Sequence, residues 1–225
     1  IKALVGLEKK GFLEDALRLG TGYENTRSGV SVTAQSALEV STVLAIVRTL
    51  ANGPSQIPCN LMQEQDGRRR QAKEHSAFSL MKASPNPWQT SFEFRETMFW
   101  HAILTGNAYA YKGLVGRSRE LRSLEVIEPH RMSVERKTDD MTGRDEIVYR
   151  VTADNGHQTI IDSERIWHFR GPSWNGWLGL DAVKHAREAI GLAISAERTQ
   201  SELNKNGAKI SGLLSMSEKI SEEKF

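Results

Sequence analysis

The sequence predicts an α+β fold, with helices first, then a run of antiparallel strands, then one long helix. Three observations carry this. Apolar residues recur at helical spacing over 33–51 and 90–105, six short strand-like runs separated by turn residues occupy 107–170, and 180–206 returns to the helical period.

Taken in order, residues 1–30 mix Leu and Lys with Gly20, Gly22 and Gly29 and read as a weakly structured arm. Thr33 is placed to cap a helix whose Val40, Val43, Leu44, Val47, Leu50 and Ala51 share one face; Asn52-Gly53-Pro54 is expected to stop it. A strand over 57–63 and a turn at Asp66-Gly67 follow, with Arg68, Arg69 and Arg70 beside the turn. A short helix over 75–83 ends at Ser84-Pro85-Asn86-Pro87. Thr90 and Glu93 have capping-box spacing, and Trp88 precedes them as a staple residue. That helix carries Phe92, Phe99 and Ile103 on one stripe, with Met98 and Ala102 alongside, and ends at Gly106.

Strands are predicted over 107–115, 121–127, 131–137, 147–152, 157–161 and 166–170, forming a meander in which Asn155-Gly156 is a two-residue hairpin turn. Val43, Leu44, Val47, Phe99, Ile103 and Tyr109 are the expected core. A loop over 171–179 holds Trp174 and Trp177. The helix over 180–206 places Ala182, Ala186, Ala189, Ala193 and Ala196 on one narrow stripe. Small side chains let helix axes approach closely, and Ala is also the strongest helix former; the stripe alone does not choose between these readings.

Lys and Arg number 30 against 28 Asp and Glu, a net charge of +2 that argues against a polybasic nucleic-acid binder. The single cysteine, Cys59, excludes an internal disulfide and reads as a buried, inert thiol in a strand. The most apolar stretch, 40–50, is interrupted by Ser41, Thr42, Arg48 and Thr49, so no membrane partner is expected. Ile1 is not an initiator methionine, and 217–225 reads as a helix barely begun; both termini are expected to be cuts in a longer protein.

Catalytic chemistry is sparse. There is no phosphate-cradling G-x-x-x-x-G-K-[ST], no G-x-G-x-x-G and no H-E-x-x-H. The histidines at 75, 101, 130, 157, 168 and 185 have no partner at metal-ligand spacing. Ser79 and Lys82 match S-x-x-K without the companion motifs of serine acyl-enzymes. Glu125 with Glu128, and Asp139 with Asp140, are carboxylate pairs of the kind common on turns. Arg68 to Arg70 and Arg117, Arg119 and Arg122 could touch phosphates or acidic surfaces, but without interleaved aromatics they read as solvated hairpin tips. No catalytic, cofactor or metal site is expected.

Five segments in fixed order carry a resemblance. They are Gly29 to Thr33 before the helix that runs into Asn52-Gly53-Pro54-Ser55-Gln56-Ile57-Pro58, and Ser84-Pro85-Asn86-Pro87-Trp88 through Arg95. Leu104-Thr105-Gly106-Asn107-Ala108-Tyr109-Ala110 follows, then Ile166-Trp167-His168-Phe169 with 176–180, then Asn204-Lys205-Asn206-Gly207-Ala208 with 211–214. Over residues 29–214 the chain resembles the portal proteins of long-tailed bacteriophages.

The resemblance implies a non-enzymatic ring subunit, typically one of twelve, at one vertex of the virion capsid, assembled in the host cytoplasm. It implies an arm over 1–30, a wing over 31–178, a first stem helix over 179–207 and the start of a clip over 208–225. The implied partners are further copies of the chain, the terminase large subunit, a head–tail adaptor, the major capsid protein, and double-stranded DNA passing without sequence specificity. No cofactor is implied, since the terminase hydrolyses the ATP. Asn86, Pro87, Gly106, Asn107, Tyr109, Asn206 and Gly207 are the structural motif residues, and the alanine stripe is expected against a neighbouring subunit's helix. A prophage or gene-transfer-agent portal would carry the same segments. The alternatives are another non-enzymatic phage connector, which should lack the ordered segments, and a serine hydrolase using Ser79 and Lys82.

Overall fold

The computed structural model describes residues 26–138, 143 and 145–207. The arm up to residue 25, the Asp139–Asp140 pair and the clip segment from Ala208 lie outside the described residues.

The architecture is α+β, in three packed tiers of helices and two small antiparallel sheets. Helices α1 (Ala34–Ala37), α2 (Ser41–Gln56), α3 (Ser76–Lys82) and α4 (Ser91–Thr105) precede the strands. A ribbon of β1 (Met62–Gln65) and β2 (Arg68–Gln71) lies between α2 and α3. Strands β3 (Asn107–Val115), β4 (Glu120–Ile127), β5 (Met132–Thr138), β6 (Asp145–Thr152), β7 (Gln158–Ile161) and β8 (Ile166–Arg170) follow, and α5 (Ala182–Lys205) closes the described chain.

The six strands do not form one meander. They split into a sheet ordered β4-β3-β8 and a second ordered β5-β6-β7. The split follows from β8, which returns to the free edge of β3, pairing Asn107 with Arg170 and Tyr109 with His168. Strand β3 is therefore central, and its two-residue alternation serves both sides. Ala108 and Ala110 face α4, packing with Phe94, Met98, Ala102 and Leu124. Tyr109 and Tyr111 face the second sheet, packing with Tyr149, Ile166, Ile127 and Ile147. A third cluster joins Val32, Ala37, Val40 and Val47 to Leu104 of α4 and Val183, Ile190 and Ile194 of α5.

Several local expectations need correction. The helix expected over 33–51 is two helices. Thr33 and Ser36 form a capping box on the four-residue α1, and the chain restarts at Ser41 after Val40, which makes no side-chain cap. Nor does Asn52-Gly53-Pro54 stop α2, which runs to Gln56. Pro54 sits in the last turn, so it removes only the bond to the carbonyl of Leu50, an exposed residue that water can serve. The guanidinium of Arg95 then donates to the Ser55 carbonyl at 2.8 and 3.3 Å, capping the helix end from α4.

Leu44, expected in the core, is 40% exposed, because α2 buries Val47, Ala51 and Ser55 instead. Phe94, not Phe92, is the deeply buried ring of α4, at 2% exposure, while Phe99 and Ile103 are half-buried. The capping box of Thr90 and Glu93 is present, but Trp88 is 67% exposed and makes no staple. The strand expected over 57–63 begins only at Met62, and Cys59 is half-buried outside it. Arg68 to Arg70 form β2 itself rather than a turn. Asn155-Gly156 belongs to a wider loop: Gly156 N–H donates to Ala153 O, Ala153 N–H donates to His157 O, and Gly156 alone takes positive φ.

Candidate functional site

No described helix is long and apolar enough to cross a membrane, and no group of three or more metal-ligating side chains occurs among the described residues. Ser79 and Lys82 are both exposed on α3, and the Lys82 ammonium lies 5.4 Å from the centre of the Phe78 ring. Glu125 accepts from the Ser123 hydroxyl at 3.1 Å on β4. Arg119 is ion-paired to Asp162 and Glu164, and Arg122 to Glu120, so two of the three arginines near the β3–β4 turn carry their own counter-charges.

Where the motif residues do converge is the junction between the body and α5. Gly106 ends α4 at φ 73°, the left-handed exit that glycine takes without strain. A Cβ there would fall inside the Leu180 carbonyl, and one on Gly179 inside that of Gly106, so the two backbones touch. Asn107, next in the chain, satisfies the polar groups this contact buries. Its Oδ1 accepts from Gly179 N–H at 2.7 Å, and its Nδ2 donates to Gly179 O at 3.1 Å and Thr105 O at 2.9 Å. The backbone N–H of Gly179 fixes which way the amide points.

The network continues into both sheets. His168 on β8 donates from Nε2 to Asn107 Oδ1 at 3.1 Å, which leaves Nδ1 bare to accept from the Tyr149 hydroxyl at 3.3 Å. Burial first, and the nearby Arg170 charge second, push the His168 imidazole down to about 4, so the ring is neutral at pH 7. Tyr109 is 3% exposed, and its ring lies 4.5 Å from that of His168 and 6.5 Å from that of Tyr149. Burial first, and the neighbouring Tyr149 second, raise the Tyr109 phenol well above its ordinary range. Burial also raises Tyr149.

Beyond Asn107 the 171–179 loop is tightly bonded. Asn175 Oδ1 accepts from the N–H groups of Trp177 at 3.1 Å and Leu178 at 2.8 Å, and the Arg170 guanidinium donates to Gly176 O. Asp181 then caps α5, accepting from Lys184 N–H at 2.8 Å. The third and fourth resembling segments thus meet at one point. Sequence reading placed Gly106 and Asn107 at a helix-to-strand turn but did not find His168 or Tyr149 as their partners.

The remaining motif residues lie apart. Asn86 is buried and docks its loop on β4, donating from Nδ2 to Leu124 O at 2.9 Å, while Leu124 N–H donates to Pro85 O at 2.9 Å. Pro87 is exposed on the turn that follows. Asn206 and Gly207 end α5, with Gly207 at φ 64°. Along α5 the face buried in this chain is Val183, Ile190, Gly191 and Ile194, with Gly191 pressed against Thr26. Ala182, Ala186, Ala189 and Ala196 are exposed, and only Ala193 packs on the chain's own core.

Comparison with known proteins agrees with this geometry. The family model described as phage portal protein matches residues 41–225. The portal protein of Enterobacteria phage HK97 is 29% identical over 194 residues, covering 84% of this chain and 43% of that protein. The probable portal protein of Streptomyces phage phiC31 is 26% identical over 201 residues, covering 87% of this chain and 43% of that protein. The chain therefore spans less than half the length of these two phage relatives.

Among solved structures, the neck of an empty gene transfer agent particle computed with C6 symmetry aligns with a TM-score of 0.63 at 22% identity. That alignment covers 79% of this chain and 48% of the other. The neck of the native particle computed with C12 symmetry gives a TM-score of 0.59 at 19% identity, covering 85% and 51%. An HK97 family phage portal protein from Corynebacterium diphtheriae gives 0.53 at 17% identity, covering 88% and 57%. The fold is common to all three. With a family model covering most of its length, and with two of the five segments that first suggested the likeness meeting at the root of the long helix, the chain belongs to the phage portal protein family.

Proposed function

We propose that this chain is the N-terminal part of a portal subunit that assembles with further copies of itself into a ring at a capsid vertex. In this reading residues 31–178 are the wing, 179–207 the first stem helix and 208–225 the opening of the clip. The ring conducts double-stranded DNA into and out of the capsid. It docks the terminase large subunit and later a head–tail adaptor, and it abuts the major capsid protein. The subunit is made in the host cytoplasm and ends in the virion, and it has no enzymatic activity of its own.

The observation that carries the reading is the outward face of α5. Ala182, Ala186, Ala189 and Ala196 lie exposed along a helix of 24 residues, about 36 Å, whose inner face is occupied as far as Ile194. A helix so placed, in a fold shared with particle necks computed with C6 and C12 symmetry, suits close lateral packing between copies. Particle images and sedimentation of the full-length protein test it. Rings with a central hole are expected; monomers at every concentration reached would overturn the reading. Turnover assays with ATP and with activated esters should give no rate above buffer. An esterase rate abolished by Ser79→Ala would favour the hydrolase.

A further inference from the structure

We propose that the Arg68/Arg70 face of the β1–β2 ribbon is a docking surface for the phosphate backbone of duplex nucleic acid. This is a claim about the body of the protein, and it stands or falls apart from the ring reading.

The ribbon is a two-stranded hairpin joined by Asp66 and Gly67, both at positive φ, and all eight of its strand residues are exposed. It is held at its base, where Ala72 is buried and donates its N–H to Leu61 O at 2.9 Å. Such a hairpin is marginal in water without something to pack on. Register divides its charges unequally. Glu64 stands opposite Arg69, so the face that also carries Met62 and Gln71 balances its charge. The other face carries Arg68 opposite Gln65 and Arg70 opposite Gln63, with no acid opposite either arginine. None of the three arginines forms an ion pair among the described residues.

Two like charges two positions apart on one strand face are about 6.8 Å from each other and repel. The chain keeps this arrangement on a face with no apolar side chain. A protein partner would find nothing there for the apolar centre of an interface, whereas nucleic-acid interfaces are polar and strongly positive. Each guanidinium presents a fork matched to phosphate oxygens, and the two glutamine amides add further donors. A two-stranded ribbon is also one of the two elements a duplex major groove, about 12 Å wide, admits. The near-neutral net charge is no obstacle, because the arginines are segregated to one face.

The test is fluorescence anisotropy of a labelled mixed-sequence duplex with the full-length protein across a salt series. Wild type should bind, with log K falling linearly in log salt. Arg68→Gln/Arg70→Gln should reduce the steepness of that line by about 1.8, close to the 0.9 per phosphate contact expected for two lost contacts. It should also lower affinity at least tenfold at about 50 mM salt. Arg68→Lys/Arg70→Lys should restore the steepness, and Arg69→Gln should change it by less than half as much. Circular dichroism should be unaltered in all three, since the side chains are exposed. An unchanged slope in the double glutamine variant, or no duplex binding at about 50 mM salt, overturns the proposal. Displacement of the duplex by polyglutamate at equal charge concentration also overturns it, in favour of an acidic protein surface.

Discussion

Asn107 and Gly179, 72 positions apart in the chain, exchange two hydrogen bonds: Gly179 N–H donates to Asn107 Oδ1 at 2.7 Å, and Asn107 Nδ2 donates back to Gly179 O at 3.1 Å. One side chain therefore plays the part of a β-ladder partner at the place where the body hands over to α5. Asn107→Ala should leave both backbone groups and His168 Nε2 unpaired, at a cost of about 2–4 kcal/mol. Asn107→Asp keeps the acceptor but turns carboxylate oxygens toward the Thr105 and Gly179 carbonyls, so it should not rescue. Urea denaturation of both variants checks this; a loss under about 0.5 kcal/mol for Asn107→Ala would show that water replaces the side chain.

The same network makes stability pH-dependent through His168. Its folded value, about 4, lies below the ordinary imidazole value of 6.5, so burial favours the neutral form in the native state. The stabilisation is whole above about pH 6.5. It is lost as pH falls from there toward 4, because the unfolded chain takes up a proton that the native chain refuses. After a discount for the partial exposure of the ring, the loss should be about 1–2 kcal/mol. His168→Gln should be less stable than wild type at pH 7.5 but flatter between pH 6.5 and 4. Glu93 and Asp145, whose carboxyls are held below their ordinary values by Thr90 and by Arg136, respectively, titrate alike in both proteins and cancel in the comparison.

Phe94→Ala should cost about 3–5 kcal/mol, since its ring fills the space between α4 and the first sheet, 5.9 Å from the centre of Trp167. Leu44→Ala, on the exposed shoulder of α2, should cost less than about 1 kcal/mol. Thermal melts of the pair would reveal a misplaced face if the order were reversed.

Ala189→Leu should impair ring assembly more than folding. Added volume on a closely packed helix face typically costs about 1–3 kcal/mol, and a ring repeats the cost at every interface. Arg198→Leu, exposed on the far side of the same helix, is the control and should assemble normally. Equal assembly of both variants, read by sedimentation, would mean that the stripe serves helix formation alone.

What could be read from the sequence was whatever is decided within a few residues. The Thr90–Glu93 box sets the start of α4, Gly106 its end, and 107–115 and 166–170 are strands with the bounds expected. The Asp66-Gly67 and Gly207 terminators also act locally. What could not be read depends on distant partners. Pro54 stays inside α2 because Arg95, 41 residues later, supports the end of that helix. Phe94 is buried because α4 is covered on two sides, by the first sheet and by the α2–α5 cluster, so one apolar stripe does not describe it. The strands divide into two sheets because β8 claims the edge of β3. His168 gives no signal in the sequence until Asn107 and Tyr149 stand beside it.

Mechanically, α5 is a cantilever. Its root is clamped by bare backbone contact between Gly106 and the 179–180 segment, where no side chain can yield as a cushion, and by Asn107 bonding across the joint. From Ala196 to Gly207 every residue is exposed, so the outer part of the beam gets no lateral bracing from the other described residues. A beam held stiffly at its root turns a small tilt of its mounting into a large sweep along its length. Whatever displaces β8 or the 171–179 loop by a fraction of an ångström therefore acts on the far end of the helix with that leverage.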